Sequence, residues 1–158
     1  GPGDRETLAY FRAVKSGIAP QPRLPTARLS LIHVADLAEA LALTVERPPP
    51  RSTYEIDDGR AYTYADMAEA AGQALDRRPW RIAVPRRAMA CLAWWNGARQ
   101  AFGGGAQILT GGKVNEIFHA DWSAADRRLA AAIGFQPRYD LASGFRDTIL
   151  WYRAKRWL

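Results

Sequence analysis

The sequence predicts an α/β fold in which a small, mainly parallel sheet of about three short strands is covered by several helices. Three observations carry that expectation. Short runs rich in β-formers at Leu29–Val34, Ser52–Ile56 and Trp80–Val84 alternate with segments of helical apolar spacing, and such alternation favours parallel strands with covered faces. After Val84 the pattern is helical only. A chain of 158 residues, 48% hydrophobic and 24% charged, is long enough for a single domain with a real core and is ordinary for a globular protein.

Taken in order, the first helix is expected over Glu6–Ser16, where Leu8, Phe11 and Val14 fall near helical spacing and Gly17 stops the run. "GIAPQPRLPTA" follows, and its three prolines require loop or extended chain. Leu29–Val34 reads as a buried strand, and Asp36–Val45 as an amphipathic helix with Leu37, Leu41 and Val45 on one face and Asp36 as its N-cap. "RPPPR" ends it. Ser52–Ile56 is a short strand entering a "DDG" turn, after which Thr63 with Asp66 forms a capping arrangement for a helix running to Leu75. Trp80–Val84 is a strand bounded by Pro79 and Pro85. Helices are expected over Arg86–Phe102, Gly112–Phe118, Ser123–Ile133 (capped by Ser123 with Asp126) and Leu141–Arg156.

Composition narrows the function. No uncharged apolar run reaches the 18 or so residues of a membrane span, and nothing at the start resembles a signal peptide, so a cytoplasmic protein is expected, with contact at the inner face of the membrane left open. Cys91 is the only cysteine, and His33 and His119 are the only histidines, so no metal centre is expected. The net charge of +6 comes almost wholly from arginines scattered singly and in pairs, which predicts no nucleic-acid partner.

"GPGD" at 1–4, "RLSLIHVADLAEA" at 28–40, "YEIDDG" at 54–59, "TYADMAEAAGQAL" at 63–75 and "DWSAADRRLAAAIGFQPRYDLASGFRDTILWYR" at 121–153 follow one another in an order that resembles the C-terminal half of the extended short-chain dehydrogenase/reductases, the NAD(P)-dependent epimerase/dehydratase family. The resemblance covers essentially the whole chain. It implies that residues 1–158 form a single substrate-binding lobe, that NAD or NADP is bound mainly by an N-terminal Rossmann half not contained in this sequence, and that this half is the lobe's first partner. The abrupt "GPGDRETL" start reads as a turn that follows a strand upstream.

Two departures bear on chemistry. A dinucleotide fingerprint needs a strand, a glycine-rich turn and a helix N-terminus. Gly103–Gly105 and Gly111–Gly112 lie between helices and read as helix stops, so no cofactor-binding residue is assigned. The family's Tyr-x-x-x-Lys is absent: Tyr10 and Lys15 are one residue too far apart, and Tyr152 and Lys155 one too close. No catalytic residue is assigned either.

Substrate-binding candidates are Asp4 beside the Gly-Pro-Gly turn, Arg28, Lys113, and Met89, Trp94 and Trp95 of the helix "RRAMACLAWWNGARQAF", which is apolar around more than one face. His33, Asp36 and Trp122 are assigned structural roles, His33 at a strand-to-helix junction and Trp122 stapling the following helix to the core. In sugar-nucleotide members of the family an arginine four residues before this histidine grips the diphosphate, and Leu29 stands there instead, with Arg28 on the other face of the strand. The tryptophans, and the basic aromatic ending "WYRAKRWL", turn the expectation toward a keto or hydroxy substrate of acyl or lipid-like character and toward peripheral membrane contact. A sugar-nucleotide epimerase/dehydratase lobe, a non-catalytic docking module and a homo-oligomer stay open.

Overall fold

The computed structural model describes residues 1–101 and 109–158. Among them the elements run α1 (Arg5–Lys15), β1 (Ile18–Pro22), β2 (Arg28–Ser30), α2 (Val34–Glu46), β3 (Ala61–Tyr62), α3 (Tyr64–Leu75), β4 (Trp80–Val84), α4 (Arg86–Ala101), α5 (Gly111–Ile117), β5 (Asp121–Trp122), α6 (Arg128–Ile133) and α7 (Leu141–Ala154). The fold is α/β with short, mostly parallel strands, divided between two sheets. In one, β1 and β4 pair in parallel; in the other, β2 is flanked by β3 (antiparallel) and β5 (parallel).

Capping sets the helix starts. Thr63 accepts from the Asp66 amide while Asp66 accepts from the Thr63 amide, so two amides that the helix leaves unpaired are satisfied reciprocally at the start of α3. Asp140 and Ser143 do the same for α7, and Asp4 accepts from the Glu6 amide to begin α1.

Four expectations are corrected. The proline-rich 18–22 segment is a paired strand, tolerated because β1 has β4 as its sole neighbour and an edge strand can lack N–H donors. Ser52–Ile56 forms no strand; Tyr54 and Ile56 instead pack their side chains against the α2/α6 core. Residues 123–127 are not helical, since Asp121 takes the Ser123 amide and hydroxyl, and α6 begins only at Arg128. Asp36 does not cap α2: His33 does, its Nδ1 accepting from the Ala35 amide at 3.4 Å, and Asp36 lies buried in the first turn.

The largest core joins Leu8, Phe11 and Val14 of α1 with Ala68, Ala71 and Leu75 of α3 and Ile149 and Tyr152 of α7. Small residues on α3 let the helices approach closely. Gly72 makes room for the turn that leaves α3, for a Cβ there would stand 2.8 Å from the Arg77 carbonyl oxygen and 2.9 Å from Pro79 Cδ. The C-terminal aromatics also belong to this core: Trp157 stacks on Tyr152 at 5.9 Å, meets Trp151 edge-on at 5.1 Å and carries the Arg5 guanidinium over its ring. "WYRAKRWL" is therefore a packed terminus and not a free membrane segment. A second core joins Ala40 of α2 to Leu129 and Ile133 of α6 and to Phe135.

The α2 face read as core-forming is turned the other way. Leu41 is 59% and Val45 84% exposed, whereas Asp36 and Ala40 are buried. No helix is long and apolar enough to cross a membrane, a statement about the described residues.

Candidate functional site

Two regions concentrate chemistry: a polar junction where the β2 strand hands over to α2, and the open aromatic helix α4.

At the junction, three buried polar side chains are each tied to distant sequence. Asp57 accepts from Ser30 Oγ at 2.6 Å, from the Gly59 amide at 2.8 Å, and from the Arg127 guanidinium. Burial pushes its carboxyl up, but the Arg127, Ser30 and Gly59 hydrogen bonds outweigh that and hold it below the usual carboxylate range. A carboxylate depressed on folding contributes stability that is complete above its unfolded value and is lost as pH falls through the folded one. Asp57→Asn is accordingly expected to lower the urea midpoint at pH 7, with the gap to the parent protein closing as pH drops below about 4. A gap that stays constant down to acid pH would show that the ion pair contributes nothing.

His33 stacks on Tyr139 with centroids 4.0 Å apart. Its Nε2 lies 3.4 Å from Asp147 Oδ2 but out of line for a hydrogen bond. Burial, with a smaller push from the Arg138 guanidinium, lowers its pKa against the pull of Asp147 and Asp36, which keeps the ring neutral at pH 7. The ring also lies against α7 at Gly144, where a Cβ would stand in ordinary contact, 3.4 Å from His33 Cδ2. Asp36 accepts from the amides of Arg138 at 3.0 Å and Tyr139 at 2.9 Å, and Arg138 also reaches Glu39 at 2.7 Å. Sequence reading missed Asp57, Arg127, Arg138, Tyr139 and Asp147. "DDG" signalled a turn, and nothing local shows that its first carboxylate is buried.

The substrate candidates do not converge. Asp4 spends its side chain on the Glu6 amide and the Thr7 hydroxyl, and its carbonyl accepts from Tyr152. Lys113 is clamped between Glu6 at 2.9 Å and Glu116 at 2.8 Å, hydrogen bonds that raise its pKa and leave it little capacity for an anionic ligand. Arg28 is exposed at the start of β2, opposite Asp121. Trp122 does not staple α6 to the core: it is 49% exposed, its indole donates to the Glu116 carbonyl at 2.9 Å, and it leans on His119.

On α4 the three candidates separate. Met89 is half-buried on the side that carries buried Ala93 and half-buried Asn96, while Trp94 and Trp95 stand 72% and 58% exposed on the other side. Leu92 is exposed as well, as are Trp80 and Ile82 of the preceding strand. Phe102, Gly103–Gly105 and Ile108 lie outside the described residues.

Among the described residues, the strand-to-helix turns do not fit a dinucleotide pyrophosphate. The turns that lead from β2 to α2, β3 to α3, β4 to α4 and β5 to α6 contain no glycine among the described residues, so none lets a phosphate approach backbone amides at a helix N-terminus. Nor do the described residues include three or more His, Cys, Asp or Glu side chains grouped to hold a metal ion.

No family model matches the chain. It is 30% identical, over its entire length, to the ceramide reductase of Caulobacter vibrioides, and it spans half the length of that relative. Its backbone follows RMD from Pseudomonas aeruginosa, solved with NADPH, with a TM-score of 0.65 at 12% identity over 98% of this chain and 46% of that one. It also follows UDP-glucose 4-epimerase from Bifidobacterium longum, solved with NAD+ and UDP, with a TM-score of 0.63 at 14% identity over 93% of this chain and 39% of that one.

Proposed function

The chain has the fold of the C-terminal lobe of the extended short-chain dehydrogenase/reductases, and from that premise we propose that it is the substrate-binding lobe of an NAD(P)-dependent oxidoreductase acting on a keto or hydroxy lipid that carries acyl chains. A Rossmann half outside residues 1–158 would hold the nicotinamide cofactor, which supplies the hydride; in support, none of the described strand-to-helix turns offers it a phosphate cradle. The lobe's part is to hold the substrate and exclude water from the reacting carbon.

The observation that carries the reading is α4. A helix that leaves Leu92, Trp94 and Trp95 open to solvent either meets another apolar surface or receives an apolar ligand. The likeness to a ceramide reductase supports a lipid as that ligand. Leu29 supports the same choice, since a diphosphate would need a guanidinium at that place on β2. A lipid substrate also gives peripheral membrane contact a purpose.

The test is turnover by the full-length protein containing this chain. Reduced nicotinamide is expected to be consumed with a keto-acyl lipid in mixed micelles and not with UDP-sugars. Turnover of UDP-sugars with none of the lipid overturns the reading.

A further inference from the structure

We propose that the face formed by β4 and the outward side of α4 docks on an anionic lipid bilayer. The proposal rests on the reading of the substrate as a membrane lipid and adds where the protein meets the membrane and what charge the membrane must carry.

Charge is the first argument. Between Asp76 and Glu116 the sequence contains no carboxylate, yet it holds Arg77, Arg78, Arg81, Arg86, Arg87, Arg99 and Lys113. Seven of the 22 cations and none of the 16 carboxylates fall there, so the remainder of the chain is nearly neutral and the net charge of +6 belongs to this span. Elsewhere the basic residues do mix with acids. Arg77, Arg78, Arg81, Arg86 and Arg87 are all exposed, and none makes an ion pair among the described residues; Arg86 donates to the neutral Asn115 side chain at 2.8 Å. Lys113 is excluded from the surface because Glu6 and Glu116 already neutralise it.

The second argument is what lies between those charges. With 3.6 residues per turn, Arg87, Cys91, Trp94 and Trp95 are separated by four, seven and eight residues and share one stripe of α4, opposite the side that carries Ala93. On β4, Trp80, 81% exposed, and Ile82 add exposed apolar side chains on one side of the strand, with exposed Arg81 on the other. Tryptophan between arginines suits the boundary of a bilayer, where the rings enter the headgroup region and the guanidinium groups meet phosphate. The other basic aromatic stretch, at the C-terminus, is unavailable because Trp151, Tyr152 and Trp157 pack against the core.

The experiment is sedimentation of the full-length protein with vesicles, without reduced cofactor or added substrate. Binding is expected to phosphatidylcholine vesicles containing phosphatidylglycerol, not to phosphatidylcholine alone, and to weaken as salt rises. Each arginine at an anionic surface contributes about fivefold to partitioning, so the combined Arg78→Gln, Arg81→Gln, Arg87→Gln variant should bind about a hundredfold more weakly. Trp94→Ser with Trp95→Ser should weaken binding by at least about tenfold. Thermal melting and NADPH binding are followed for the arginine variant. If it melts early or loses NADPH binding, the face is covered by the rest of the protein and the proposal is overturned. Equal binding to both vesicle types, or retention on RNA with no vesicle binding, overturns it too. Lipid turnover in micelles with no vesicle binding removes this surface and leaves the substrate reading standing; vesicle binding with no lipid turnover does the reverse.

Discussion

Phe11→Ala is expected to destabilise the protein by about 3–5 kcal/mol, a large fraction of the about 5–15 kcal/mol that a domain possesses. Phe11 is fully buried in α1 and meets two other rings at an edge, Phe145 at 4.9 Å and Tyr152 at 5.9 Å. The same core also holds Ala19, Ala68 and Ala71, which have no rotatable side chain to swing into the vacated space, and only Leu8 and Leu75 as flexible aliphatics. Val14 and Ile149 are β-branched and nearly as fixed. The cavity would therefore persist, and the cost belongs at the upper end of the range for a phenylalanine truncation. A control on α2, Val45→Ala, removes a side chain that is 84% exposed and should change stability by no more than about 0.5 kcal/mol. Urea unfolding of both variants decides the matter. A loss below about 1 kcal/mol for Phe11→Ala would mean that the α1, α3 and α7 core is not what holds the lobe together.

What could be read in advance depended on whether the determining contact was local. The start of α3 was legible because Thr63 and Asp66 satisfy each other three residues apart, and β4 because Pro79 and Pro85 bracket it. Strand β1 was not, since Pro20 and Pro22 remove ladder donors, and only a position beside a single neighbour makes that tolerable. Strands β3 and β5 are two residues each, too short to show any periodicity. The apolar stripe of α2 was visible, but its direction was not: Leu41 and Val45 look outward because Ala40 and Leu43 are the residues that meet α6 and its surroundings.

The same division holds for the candidate sites. The aromatic character of α4 was plain from composition, whereas the separation of Met89 from Trp94 and Trp95 followed only from knowing which side holds Ala93. Asp57 and Arg127 are 70 residues apart and Asp57 and Ser30 are 27, distances over which no spacing rule operates. Lys113 looked available at a helix start until the fold brought Glu6 to it.

Asp36→Ala is expected to cost about 2–5 kcal/mol, and the reason is not its ion pair. Arg138 is 60% exposed, so its guanidinium would be rehydrated at little cost once the carboxylate is gone. The amides of Arg138 and Tyr139 both donate to the buried Asp36 Oδ2 in part-buried bonds, and each donor left without a partner costs about 1–3 kcal/mol. Glu39→Gln, which weakens the other contact of the same arginine, should cost less than about 1 kcal/mol and so isolates the backbone contribution. Asp36→Asn keeps one carbonyl oxygen in place and should fall between the two. The consequence reaches beyond α2, because Tyr139 is the ring on which His33 stacks and Asp140 is the cap of α7. Losing the two amide contacts frees the segment that sets both, so hydrogen exchange at the Arg138 and Tyr139 amides should accelerate together with the fall in unfolding midpoint. If Asp36→Ala proves no more damaging than Glu39→Gln, the junction is held by the stacked rings instead, and the buried carboxylate is there for another purpose.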